Sequence, residues 1–229
     1  MFGFFFDPFW MLVTLIGGGL TLWAQMRVKS TFGKYSQVGV RSGMTGAQAA
    51  RAVCRAGGVE EVAIERHGGF LSDHYNPKTR TLALSPDVHD GRSVSSIAVA
   101  AHEAGHAIQH ASNYGPLGLR SSLVPMAGIG SRLWYLPFFL GIVLNMQPLI
   151  QLAVLLFSGV VLFQLVTLPV EFDASKRAKA VLTSSGIVST ADEARGVEQV
   201  LGAAAMTYVA AVAASILQLL YLVMRSSRD

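Results

Sequence analysis

His102-Glu103-Ala104-Gly105-His106 sets two imidazoles four residues apart, with a carboxylate beside the first. On a helix, residues i and i+4 share one face, so both rings can reach a single metal ion. Glu103 stands one residue from the first ligand, placed to take a proton from water rather than to ligate. The chemistry this spacing offers is metal-assisted hydrolysis: an ion that lowers a water's pKa toward about 7, and a carboxylate base. The motif lies within SVSSIAVAAHEAGHAIQHAS, a mostly apolar helix-forming segment. Three ionisable side chains are costly in such a segment unless they are used. One Zn2+ per chain is the expected cofactor.

A catalytic zinc needs a third protein ligand and one open position. His110 continues the same helical face at i+8, too far along for the same ion. His74 and His89 fall in expected loops, where a histidine facing solvent is the ordinary outcome. The best candidate is Glu171 in LPVEFDASKRA, a carboxylate where a long apolar stretch ends. A charge at that boundary is expensive unless it is paired or metal-bound. Asp173 either orients an imidazole or pairs with Lys176 or Arg177 one turn later, and the spacing leaves both open. His74, Tyr75 and Arg177 are unranked candidates for stabilising a developing oxyanion.

The elements that must position these residues are dominated by lipid-length helices. Of the 229 residues, 52% are hydrophobic and 14% charged, against about 25% charged in an average soluble domain. Residues 8–26, 133–170 and 199–224 carry no charge at all. About 20 apolar residues span a bilayer as a helix, so the second stretch is too long for one span. Asn145, Gln147 and Pro148 mark a turn in its middle. Four transmembrane helices follow, at 8–26, 123–145, 149–170 and 201–224. The first is expected to be an uncleaved anchor, because Arg27 and Lys29 follow it and no basic residue precedes it. Gly17, Gly18 and Gly19 suit close helix packing, either within one chain or in a homo-oligomer.

Residues 27–120 hold eleven of the eighteen Lys and Arg, and residues 171–200 hold four more. Four spans put both segments on one face, which the positive-inside rule assigns to the cytoplasm. Residues 1–7, the 145–148 turn, Arg225 and Arg228 fall on the other. No basic stripe interleaved with aromatics appears, so no nucleic-acid partner is expected. In the 27–120 segment, Thr45 and Gln48 form a capping box for a helix that Gly57 and Gly58 end. VAIERHGG and TRTLALS alternate as strands, joined through a loop DHYNPKT, and Ser93 caps the motif helix. Thr190 and Glu193 repeat the capping-box spacing before the last helix. The lone Cys54 is expected to be a core thiol. The fold class is therefore mostly α: a multi-pass membrane protein with a small α+β, zincin-like cytoplasmic region.

HEAGHAIQH, LSDHYNPKTRTLALSPDVH and PVEFDASKRA together resemble the bacterial YugP-like family of neutral zinc metallopeptidases, over nearly the whole chain. More distantly, the pattern is similar to the HtpX-type and CAAX-processing membrane gluzincins. That resemblance implies Glu171 as third zinc ligand beside His102 and His106, with Glu103 as catalytic base. It departs where the wider group has Glu-x-x-x-Asp, since position 175 is Ser and the aspartate is Asp173. The implied activity is hydrolysis of protein or peptide substrates in or near the bilayer of a bacterial inner membrane, with the site facing the cytoplasm. TRTLALS is expected either to bind an extended peptide by edge addition or to serve only as a hairpin strand. The rival class is a zinc-binding but proteolytically silent subunit that scaffolds other membrane proteins. A metal transporter would need ionisable residues inside its spans, and apart from Arg132 they have none.

Overall fold

The structure is a computed structural model that describes residues 7–227, so residues 1–6, Arg228 and Asp229 lie outside the described residues. Eight helices and three strands are described in chain order. They are α1 (Pro8–Ser36), α2 (Gly46–Ala56), β1 (Ala63–Arg66), β2 (His74–Asn76), β3 (Thr81–Leu84), α3 (Pro86–His89), α4 (Val94–Ala111), α5 (Gly115–Leu133), α6 (Tyr135–Val143), α7 (Gln147–Ser184) and α8 (Ala191–Ser226). The chain divides into two compact units. One comprises Met1–Gln25, Leu119–Leu168 and Met206–Asp229, and the other Met26–Gly118 and Pro169–Ala205.

The first unit is helical. Asp7 caps α1 by accepting from the Phe9 amide at 2.9 Å, and Pro8 takes the first helical position, where its missing N–H costs nothing. The 115–143 stretch breaks at Trp134 because Pro137 cannot donate to the Leu133 carbonyl. Asn145 turns the chain into α7 with a φ of 52°, a left-handed conformation asparagine tolerates better than most residues. Four helical stretches are long and apolar enough to cross a membrane: Pro8–Ser36, Gly115–Val143, Gln147–Ser184 and Ala191–Ser226. Gly17 packs against Ala214 within the chain, its Cβ position 3.3 Å from the alanine methyl.

The helices of the described chain run past the charge-free stretches that announced them. α1 continues ten residues beyond Met26, and α7 carries the chain without interruption through Pro169 to Ser184. Helix ends are set by caps and turns rather than by charge, so a polar extension of an apolar helix leaves no mark in composition. Glu171 and Asp173 therefore stand within a long helix.

In the second unit α4 is the central element. Ala98, Ala100, Ala101, Ala104 and Ala107 are all buried, and their small side chains let other elements approach on several faces. Thr45 and Gln48 close a reciprocal capping box on α2, and Ser93 caps α4 through the Ser96 amide. Thr190 and Glu193 do the same at α8, where Arg41, Ser189 and Thr190 amides all donate to the Glu193 carboxylate.

The sheet corrects one expectation. Its order is β1-β3-β2, with β1 parallel and β2 antiparallel to β3. TRTLALS therefore supplies the middle strand, and neither of its edges is open to a peptide. The strand that takes the second edge, His74–Asn76, came from the stretch expected to be a loop. Three residues are too few to show alternation, and asparagine is depleted in strands. His89, also expected in a loop, ends the short helix α3.

Candidate metal centre

Two helices build the site. α4 presents His102 and His106 from successive turns, with ring centroids 4.8 Å apart. α7 presents Glu171, which is 2% exposed. His102 Nε2 lies 3.1 Å from Glu171 Oε2 and His106 Nε2 lies 3.5 Å from the same oxygen. Ligand atoms of the three side chains all fall within 4.8 Å of one another. Tetrahedral zinc with ligands at roughly 2.0–2.1 Å spaces those ligands about 3.3 Å apart. Two imidazole nitrogens and one carboxylate oxygen gathered this closely could hold such an ion and would leave one position to water or substrate.

The close approach of α7 to α4 depends on Gly105. A Cβ there would stand 2.5 Å from the Ala174 carbonyl oxygen, backbone that cannot move aside. The glycine within the motif thus lets the helix bearing Glu171 reach the two histidines.

Each histidine turns its other nitrogen to a neighbour, as metal-ligating imidazoles do. His102 Nδ1 meets Ser175 Oγ at 3.0 Å, and His106 Nδ1 meets Gln109 Oε1 at 3.0 Å. Position 175, where the chain departs from the wider gluzincin pattern, still meets an imidazole, through a hydroxyl instead of a carboxylate. Asp173 touches neither ring. It accepts from Arg177 Nε at 2.5 Å and from Gln109 Nε2 at 2.8 Å. Of its two expected roles, pairing with Arg177 is the direct one. Burial favours neutral His106, but its hydrogen bond to Glu171 and the charges of Glu103 and Glu171 outweigh that and raise its pKa. A proton and a metal ion would compete for that nitrogen.

The remaining candidates lie apart from this group. His74 is exposed and its Nδ1 bonds the Ser72 carbonyl at 2.9 Å. His89 pairs with Asp90 at 2.6 Å. Tyr75 Oη bonds His110 Nδ1 at 2.9 Å, and both line a cleft of ≈ 610 Å³ together with Ala107. Sequence reasoning missed Gln109 and passed over Ser175. Both signals were present: Gln109 follows His106 by three residues, and Ser175 follows Glu171 by four, spacings that bring side chains together on a helix.

Comparison with known proteins now adds to the geometry. Residues 10–227 match the sequence profile described as "Putative neutral zinc metallopeptidase". The chain is 47% identical over 214 residues to the "Putative membrane protease YugP" of Bacillus subtilis (strain 168), covering 93% of this chain and 95% of that relative. No solved structure matches it. By the extent of these matches, the chain belongs to the putative neutral zinc metallopeptidase family.

Proposed function

We propose that the chain is a zinc-dependent membrane endopeptidase that cleaves membrane proteins or segments close to the bilayer. The observation that carries this reading is the convergence of His102, His106 and Glu171 in a chain with four helices of membrane-crossing length. Those three side chains would hold the ion, which when bound supplies Lewis acidity toward a water and a peptide carbonyl. Glu103 does the proton work, accepting a proton from the attacking water and passing it to the leaving amine. The oxyanion donor is sought among His74, Tyr75 and Arg177, of which Tyr75 bonds His110 and Arg177 bonds Asp173. An extended substrate would add to the outer edge of β2 rather than to β3, whose two edges are both paired. The positive charge of residues 27–120 and 171–200 supports a cytoplasmic site at a bacterial inner membrane.

The test compares zinc content and hydrolysis of a denatured membrane protein in detergent by wild type, Glu103→Gln and Glu171→Ala. Wild type and Glu103→Gln are expected to hold one zinc per chain, and Glu171→Ala to lose it. Glu103→Gln should lower turnover by about 10²–10⁴-fold or more. Unchanged turnover in Glu103→Gln removes the assigned base. Zinc retained by a wild type that hydrolyses nothing, with cellular function intact in Glu103→Gln, leaves the silent-subunit reading in its place.

A further inference from the structure

Gln109 is completely buried, and both ends of its amide are engaged. Its Nε2 donates to the Val170 carbonyl at 2.8 Å and to Asp173 Oδ2 at 2.8 Å. Its Oε1 faces His106 Nδ1 at 3.0 Å. This arrangement has one workable orientation. A carbonyl and a carboxylate can only accept, so reversing the amide would press its oxygen against two others. With Oε1 fixed as an acceptor, His106 must carry its hydrogen on Nδ1. In the neutral ring the lone pair is then on Nε2, the nitrogen that lies 3.5 Å from Glu171 Oε2.

The support extends outward. Arg177 Nε holds the same Asp173 oxygen at 2.5 Å, and its guanidinium lies 5.5 Å from the centre of the Tyr114 ring. The bond to Val170 also reaches the residue immediately before Glu171. One side chain of α4 therefore orients a histidine of its own helix and grips α7 beside the carboxylate. The other histidine has no such lock, because the Ser175 hydroxyl at His102 Nδ1 can donate or accept.

We infer that Gln109 is a positioning residue that fixes His106 in its metal-binding tautomer, with Asp173 and Arg177 acting on the metal site only through it. The inference rests on the zinc reading of His102, His106 and Glu171. An amide here takes the place of the carboxylate that commonly backs a ligating histidine. It orients the ring without adding a negative charge next to it.

The experiment measures zinc affinity by chelator competition in the purified full-length chain, together with the ¹⁵N shifts of the His106 imidazole before zinc is added. Gln109→Met keeps the side-chain length and removes both hydrogen-bonding ends. It is expected to weaken zinc about 10–100-fold and to lose the Nδ1-protonated signature expected of wild type. Gln109→Glu sets a carboxylate against Asp173 and should weaken zinc further. Adding Asp173→Asn restores a donor facing position 109, so the double variant should bind zinc more tightly than Gln109→Glu alone. Rescue of this kind follows from hydrogen bonding and not from packing, and it decides the matter even where Gln109→Met folds poorly. Wild-type affinity in Gln109→Met, or no recovery in the double variant, overturns the assignment to Gln109. A wild type that takes up no zinc overturns the underlying metal reading instead.

Discussion

The two units of this chain solve opposite packing problems. In the unit formed by Met1–Gln25, Leu119–Leu168 and Met206–Asp229, large apolar side chains face outward, with Leu15 71% and Leu155 70% exposed. In the unit formed by Met26–Gly118 and Pro169–Ala205, Leu82, Leu84, Ile97 and Leu182 are fully buried. A core of that second kind gains by removing apolar surface from water. The first gains nothing of the sort where lipid is its solvent, and depends on close contact between helices. Gly130 shows this, since a Cβ there would meet the Leu156 carbonyl oxygen at 2.5 Å. Polar burial follows the same division. Glu103, His106, Gln109, Glu171 and Ser175 are all buried in the second unit, while the polar groups buried in the first, among its described residues, are uncharged: Thr167, Ser215, Tyr221 and the Gln218 amide nitrogen. The unit with an aqueous type of core is the one that can hold the charges of a metal site.

Substitutions can break that contrast. Leu82→Ala should cost about 2–5 kcal/mol in chemical denaturation, because it opens a cavity in a dry core. Leu155→Ala, on an outward face, should stay within about 0.5 kcal/mol. Equal costs would mean that the two units are packed alike. The next largest effect tests the solvent itself. Leu155→Arg should disfavour membrane insertion by about 2.5–3.5 kcal/mol, seen as a lower inserted yield. Val38→Arg, at an exposed apolar residue of the other unit, should insert and fold as wild type does. Normal insertion of Leu155→Arg would place that face against water or protein.

The smallest effect sharpens the comparison through Cys54. Burial raises its thiol from 9.0 to about 11, and nearby Arg51 only partly opposes this. A raised acid pKa stabilises the folded state fully below the unfolded value, and the contribution is lost as pH rises through the folded one. The folded state should therefore lose roughly 2–3 kcal/mol between pH 9 and 11 through this thiol. Melting temperature measured across that range should fall less in Cys54→Ala than in wild type. Identical slopes would show that the thiol meets water.

Much of the site was legible because helical spacing is local. The four-residue interval of His102 and His106 and the caps at Thr45, Ser93 and Thr190 needed nothing beyond neighbouring residues. Glu171 stood out because a carboxylate at the end of 38 charge-free residues is costly by itself. The sheet was harder. β2 has three residues, and its pairing with β3 is a choice among partners that alternation cannot make. Asp173 was ambiguous for a similar reason: its spacing allowed both an ion pair and an imidazole contact, and only the position of Gln109 separates them.

By itself, then, the sequence determined the kind of chemistry, the helix that carries it and the apolar lengths that demand lipid, since each follows from residue type and short-range period. Only the tertiary structure decided which strand is central, that Ser175 and not Asp173 meets His102, and that Gln109 reaches Val170 and Asp173 on α7. The last two depend on contacts between residues 61 to 73 positions apart, as does the approach of Gly105 to Ala174. The angle and depth at which α7 meets α4 are set by the fit of their surfaces, a property of both helices together that neither one's sequence carries alone.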